Sequence, residues 1–153
     1  MAFIGLAGGM FMGMARLSRW LMRGRYEHAA VANVMVDAGG AATIPVLATF
    51  AGVRGLPWWY GVATNNATPL LVVEPGGIRF RVIRAQRRRF GDIACVDVRR
   101  ATGTVNLMLT FHDAILTFSA NLGAVPLAAY VLRLLPPSLP LSERAAAIRD
   151  GQP

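Results

Sequence analysis

The chain has 153 residues, 54% of them hydrophobic and 16% charged, with a net charge of +8 and a calculated pI near 11.4. That much apolar content excludes a disordered polyelectrolyte and suits one packed domain, with or without an appendage. A single cysteine, Cys95, excludes an internal disulfide and any cysteine-based metal centre. All sixteen basic residues are arginines. The surplus favours anionic partners: acidic lipid, an acidic protein or nucleic acid.

Residues 1–15, "MAFIGLAGGMFMGMA", are apolar and uncharged. As a helix they would span about 22 Å, short of the roughly 30 Å hydrocarbon core of a bilayer. No basic segment precedes them, as a signal peptide would require. Gly5, Gly9 and Gly13 make two overlapping GxxxG spacings, which in a longer apolar span would point to helix pairing. Next, Arg16, Arg19 and Arg23 recur at i, i+3, i+7, while Met10, Met14, Leu17 and Leu21 form a separate apolar stripe. With Trp20 nearby, these residues are the candidates for a helix lying in a membrane interface. An amphipathic helix packed on its own domain fits the same spacing.

Residues 29–63 admit two readings. A 25-residue run carries only Asp37 as a charge, and Trp58, Trp59 and Tyr60 follow like an interfacial aromatic belt. Against a membrane segment stand Asp37, Gly39, Gly40 and Pro45, and buried strands compete for the stretch. Residues 1–63 are accordingly taken as an apolar, basic N-terminal region, membrane-associated in one of the two readings.

From residue 64 the pattern is that of strands. "TPLLVVE" is a β-rich run, Pro75-Gly76-Gly77 a turn, and "IRFRV" a half-buried strand with Ile78, Phe80 and Val82 on one face and Arg79 and Arg81 on the other. "RAQRRRF" is expected to be a loop or a frayed strand end. Its Arg84, Arg87, Arg88 and Arg89 are the candidate anion-binding residues, because a planar guanidinium donates in pairs to phosphate or carboxylate. A competing reading has the arginines pair with Glu74, Asp92 and Asp97 and solvate an apolar edge. "IACVDVRR" is expected to place Ala94, Val96 and Val98 on one face and Cys95, Asp97 and Arg99 on the other. "VNLMLTF" places Leu107, Leu109 and Phe111 inward, His112-Asp113 turns the chain, and Leu116 and Phe118 return inward.

The period then lengthens. Leu122, Val125, Ala129 and Leu132 step by three and four, Asn121 is placed to cap a helix, and Pro136-Pro137 end it. Residues 138–153 form a tail, with a short turn capped by Ser142 ahead of Glu143.

The succession "LLVVEPGGIRFRV", "FGDIACVDVRR", "NLMLTFHDAILTFSANL" and "GAVPLAAYVLRLLP" resembles the bacterial PH-like domains, with Phe90, Ile93 and Val96 at the middle strand positions. The resemblance covers residues 68–137. It implies a mainly β (α+β) fold, a small bent antiparallel sheet or partial barrel closed by a C-terminal helix. Apolar membrane segments precede the domain in many members; here no clean pair of spans does.

No nucleophile elbow, zinc-protease motif, phosphate loop or dinucleotide fingerprint is present. His112-Asp113 reads as a solvated turn, and Cys95 as a packing residue. No enzyme, cofactor or metal is expected. The expectation is a binding or scaffolding module on the cytoplasmic side of a bacterial inner membrane, held to an anionic membrane surface or an acidic protein by residues 84–89. The alternative is a cytoplasmic module for protein interaction or nucleic acid. Nucleic acid fits less well, because Phe80 and Phe90 alternate inward rather than offering rings for bases to stack on. An oligomer is compatible with either reading.

Overall fold

The computed structural model describes residues 30–57 and 61–152, and these form ten strands. They are β1 (Met35–Val36), β2 (Ala42–Thr43), β3 (Ala48–Val53), β4 (Gly61–Asn65) and β5 (Leu70–Glu74). Then follow β6 (Gly77–Arg81), β7 (Ala85–Arg89), β8 (Ile93–Ala101), β9 (Thr104–Phe111) and β10 (Leu116–Asn121). Two helices close the chain, α1 (Val125–Leu134) and α2 (Glu143–Arg149). The first sheet has the order β1-β2-β5-β6-β7 and the second β4-β3-β10-β9-β8, every neighbouring pair antiparallel. The protein is mainly β, built on two five-stranded sheets rather than one bent sheet or a closed barrel.

The inner faces meet in one apolar core. Phe80 of the first sheet reaches across to the second, 4.2 Å from the Phe118 ring centroid and 5.9 Å from that of Phe111. Leu127, Ala128, Val131 and Leu132 of α1 are almost wholly shielded from water. Each such leucine or valine contributes about 2 kcal/mol of burial. Pro126 sits in the first turn of α1, where its missing N–H costs nothing.

Residues 30–57 and 61–65 are part of this fold. Strand β3 pairs with β10 from Val53↔Leu116 to Ala48↔Asn121, and β2 pairs with β5. Ile44 and Leu47 donate to Leu71 in one sheet and Asn121 in the other, so the chain between them crosses the core. The boundary expected at residue 64 therefore lies inside a continuous set of strand pairings. Trp58, Trp59 and Tyr60 lie outside the described residues, as do Arg16, Arg19, Trp20, Arg23 and the three N-terminal glycines.

Several other expectations change. Residues 85–89 of "RAQRRRF", expected as a loop or a frayed strand end, are the regular strand β7, paired with β6 from Gly77↔Arg89 to Arg81↔Ala85. A register shift between Ile93 and Cys95 puts Ile93 and Val96 together in the core, while Ala94 is only partly buried. Leu116 is exposed, because it starts β10 at the edge of the core. Asn121 caps no helix; it ends β10 and accepts from the Gly123 N–H.

The tail is structural. Ser142 caps α2 by accepting from Ala145 N–H, as its sequence position suggests. Leu139, Ala145 and Ile148 enter the core. Val96 donates to Pro140 at 2.8 Å and accepts from Ser142 at 2.9 Å, so this segment covers the free edge of β8. Asp97 locks it in place: its carboxylate accepts from the Ser142 hydroxyl and the Arg144 and Arg99 guanidiniums.

Candidate functional site

Alternation decides what each arginine of the basic run can do. Arg79 on β6 stands opposite Arg87 on β7, and Ile78 opposite Arg88. Since Ile78 points into the core, Arg88 shares its inward face, and Arg87 and Arg89 share the outward face with Arg79. The expected group of four is thus divided. Arg88 is spent on the fold, over the Phe111 ring and paired with Asp113. Arg84 lies in the β6–β7 turn at the other end of the strands, beside Arg81 and Val82, whose carbonyls accept from Thr49 and Asn65. Arg87 and Arg89 remain outward and exposed.

These two border a shallow surface groove of about 540 Å³, floored by the Pro75-Gly76-Gly77 turn and flanked by Asp37 and Arg79. Glu74, with 14% of its side chain exposed, forms ion pairs with Arg79 Nε at 3.2 Å and Arg87 Nε at 2.8 Å and accepts a hydrogen bond from Arg87 Nη2 at 3.0 Å. One carboxylate therefore serves two guanidiniums, and the pairing with Glu74 is the part of the competing reading that holds. Asp92 accepts from the Arg89 N–H, and Asp97 serves Arg99 and Arg144 instead. Among the described residues Arg89 has no ion pair.

The groove belongs to one end of the two sheets. A side chain at Gly40 would touch Pro75, Phe90 N–H donates to Gly76, and His112 N–H donates to Asp92. Arg88 reaches Asp113, and Arg54 N–H donates to Ile115 at 2.8 Å. The β1–β2, β5–β6, β9–β10 and β3–β4 connections thereby form one rim. Helix α1 begins at the opposite end of β10. Arg54, Leu56 and Ile115 of this rim are exposed and were not singled out by sequence, and Leu116, expected to face inward, is exposed beside them. The available signal was an isoleucine and a leucine directly after a turn, where polar residues are usual.

A smaller cleft of about 240 Å³ lies against the outer face of the second sheet, lined by Phe50, Cys95, Met108 and Thr110 among others. Burial, then the neighbouring Asp97 charge, pushes the Cys95 thiol up, away from the nucleophilic thiolate. His112 and Asp113 are exposed, and the Arg88 guanidinium holds the Asp113 carboxyl below the usual range. Among the described residues no three of His, Cys, Asp or Glu gather to hold a metal ion, and no helix is long and apolar enough to cross a membrane.

No protein-family model matches the chain, and no curated protein matches it either.

Proposed function

We propose that this protein is a non-enzymatic binding module of PH-like architecture that docks on an anionic membrane surface, on the cytoplasmic side of the bacterial inner membrane. The observation that carries the reading is the outward basic face of β6 and β7. Arg79 and Arg87 share the Glu74 carboxylate there, Arg89 stands beside them without an ion pair among the described residues, and all three line the groove of about 540 Å³. The order of elements supports the PH-like reading: one three-strand meander, β5–β7, then a second, β8–β10, then α1. A basic residue close to an anionic bilayer contributes about 1 kcal/mol. Arg89 and Arg54, which have no ion pair among the described residues, therefore supply about 2 kcal/mol, a reversible hold that needs a second anchor. Arg16, Arg19, Arg23 and Trp20 have the composition for one.

Vesicle flotation of the full chain tests this. Binding to vesicles rich in phosphatidylglycerol is expected, with little to neutral phosphatidylcholine. It should weaken as salt approaches 1 M, where the screening length falls to about 3 Å. Arg87→Ala with Arg89→Ala should lower the acidic-vesicle binding further. Equal binding to both lipids, or binding only to an acidic protein or nucleic acid, would overturn the proposal.

A further inference from the structure

Three large apolar side chains stand exposed on two neighbouring hairpin tips: Ile115 at 73%, Leu116 at 53% and Leu56 at 48%. The tips are tied together. Arg54 N–H donates to Ile115 at 2.8 Å, Leu116 lies directly across from Val53, and Leu56 N–H donates back to Val53 at 3.2 Å. They form one ledge on the rim, at the end of the sheets where the basic groove opens. Scattered apolar side chains on a surface need no explanation; a contiguous set on adjoining turns does.

We infer that this ledge inserts into the interface of an anionic bilayer, so that the protein docks end-on with its sheets standing away from the membrane. The inference rests on the membrane-docking reading above and assigns it an orientation and a contact surface. Charge around the ledge favours a bilayer as the occupant. Arg54 is exposed on the same tip, and Arg87 and Arg89 are exposed along the same rim. Apolar side chains below a ring of guanidiniums match acyl chains below a layer of phosphates. The rim's carboxylates are largely engaged: Asp113 by Arg88, Asp92 by the Arg89 N–H, and Asp37 by the N–H groups of Gly39 and Ala41.

The experiment uses the full chain in two forms. In the first, Ile115→Ser and Leu116→Ser are combined; both side chains are exposed, so the melting temperature should be retained. Affinity for phosphatidylglycerol vesicles should fall on the order of tenfold or more, and the loss should persist in high salt, since it is apolar. In the second, an environment-sensitive fluorophore is attached through Ile115→Cys in a Cys95→Ala background. Its emission should shift to the blue on phosphatidylglycerol vesicles. If the chain binds these vesicles through Arg87 and Arg89 but the label does not shift and the serine variant binds as well as wild type, insertion is wrong while surface docking stands. If the chain binds no vesicles, both proposals fall. A shift seen only with an acidic protein or nucleic acid also overturns the insertion.

Discussion

The guanidinium of Arg88 lies over the ring of Phe111, 5.1 Å from its centroid, and donates to Asp113 Oδ2 at 2.8 Å. Phe111 belongs to the second sheet and Arg88 to the outermost strand of the first. The pair therefore clamps the two sheets together at their rim. It also places an inward charge on the exposed edge β7, which discourages pairing with another chain. Arg88→Ala should lower stability by about 1 kcal/mol, mostly through the lost cation–π contact, and raise the tendency to aggregate. Urea unfolding checks the first effect and light scattering the second. Asp113→Asn should change little, because its carboxylate is exposed.

Gly77 begins β6 directly against β7. A Cβ there would collide with the Arg88 carbonyl, which is backbone and cannot swing aside. Gly77→Ala should cost about 2 kcal/mol and loosen the β6–β7 pairing. Hydrogen exchange should then quicken first in residues 85–89. Unchanged protection there would show that the strands absorb the extra methyl.

The Asp97 cluster makes stability depend on pH. Burial pushes the Asp97 carboxyl up, but the Ser142 hydroxyl, Arg144 and Arg99 together outweigh it and hold the group below its ordinary value of 3.8. A carboxyl lowered on folding adds stability that is complete above the unfolded value and is lost as pH falls through the folded one. Wild type should therefore melt above Asp97→Asn at neutral pH, and the gap should narrow below pH 3.8. A gap constant down to the lowest pH would mean that the cluster does not bind the tail through charge.

A fragment spanning residues 64–153 retains β5 to β10 and both helices but lacks the partners of β5 and β10. Its central strands would present long unpaired edges. The fragment should aggregate or remain unfolded, whereas one starting at residue 30 keeps every described pairing. Deleting residues 138–153 should be damaging too, since it removes Leu139, Ala145 and Ile148 from the core and uncovers β8. Circular dichroism and size-exclusion chromatography distinguish these outcomes.

Much of the β-rich half was legible because its signals are local. Ile78 and Phe80 alternate along β6 with the buried Val82 just past its end, Pro75-Gly76 turns the chain into it, and Leu107, Leu109 and Phe111 alternate along β9. The Ser142 cap of α2 is local as well, whereas the stripe read for α1 is offset: Leu122 precedes the helix, Val125 is only partly buried, and Leu127 is fully buried. The Ala94 and Leu116 expectations failed for a definable reason. A single bulge between Ile93 and Cys95 reverses the faces of a strand, and the first residue of β10 lies beyond the reach of the core.

The amino-acid sequence by itself determined a mainly β chain with a helix after the last strand, a strong positive charge and no recognisable catalytic motif. It also concentrated arginines in residues 79–89. Only the tertiary structure decided what those arginines do. Arg88 closes the core, Arg84 sits at the far end, and Arg87 and Arg89 border a groove with Arg79 and Glu74. It likewise decided that residues 35–53 and 61–65 contribute strands to both sheets, and that Arg54, Ile115 and Leu116 share one rim. The reason is range. Periodicity reports a side chain's direction relative to its immediate neighbours, whereas the pairing of Val53 with Leu116, and the rim it helps to assemble, depends on contacts between distant parts of the chain.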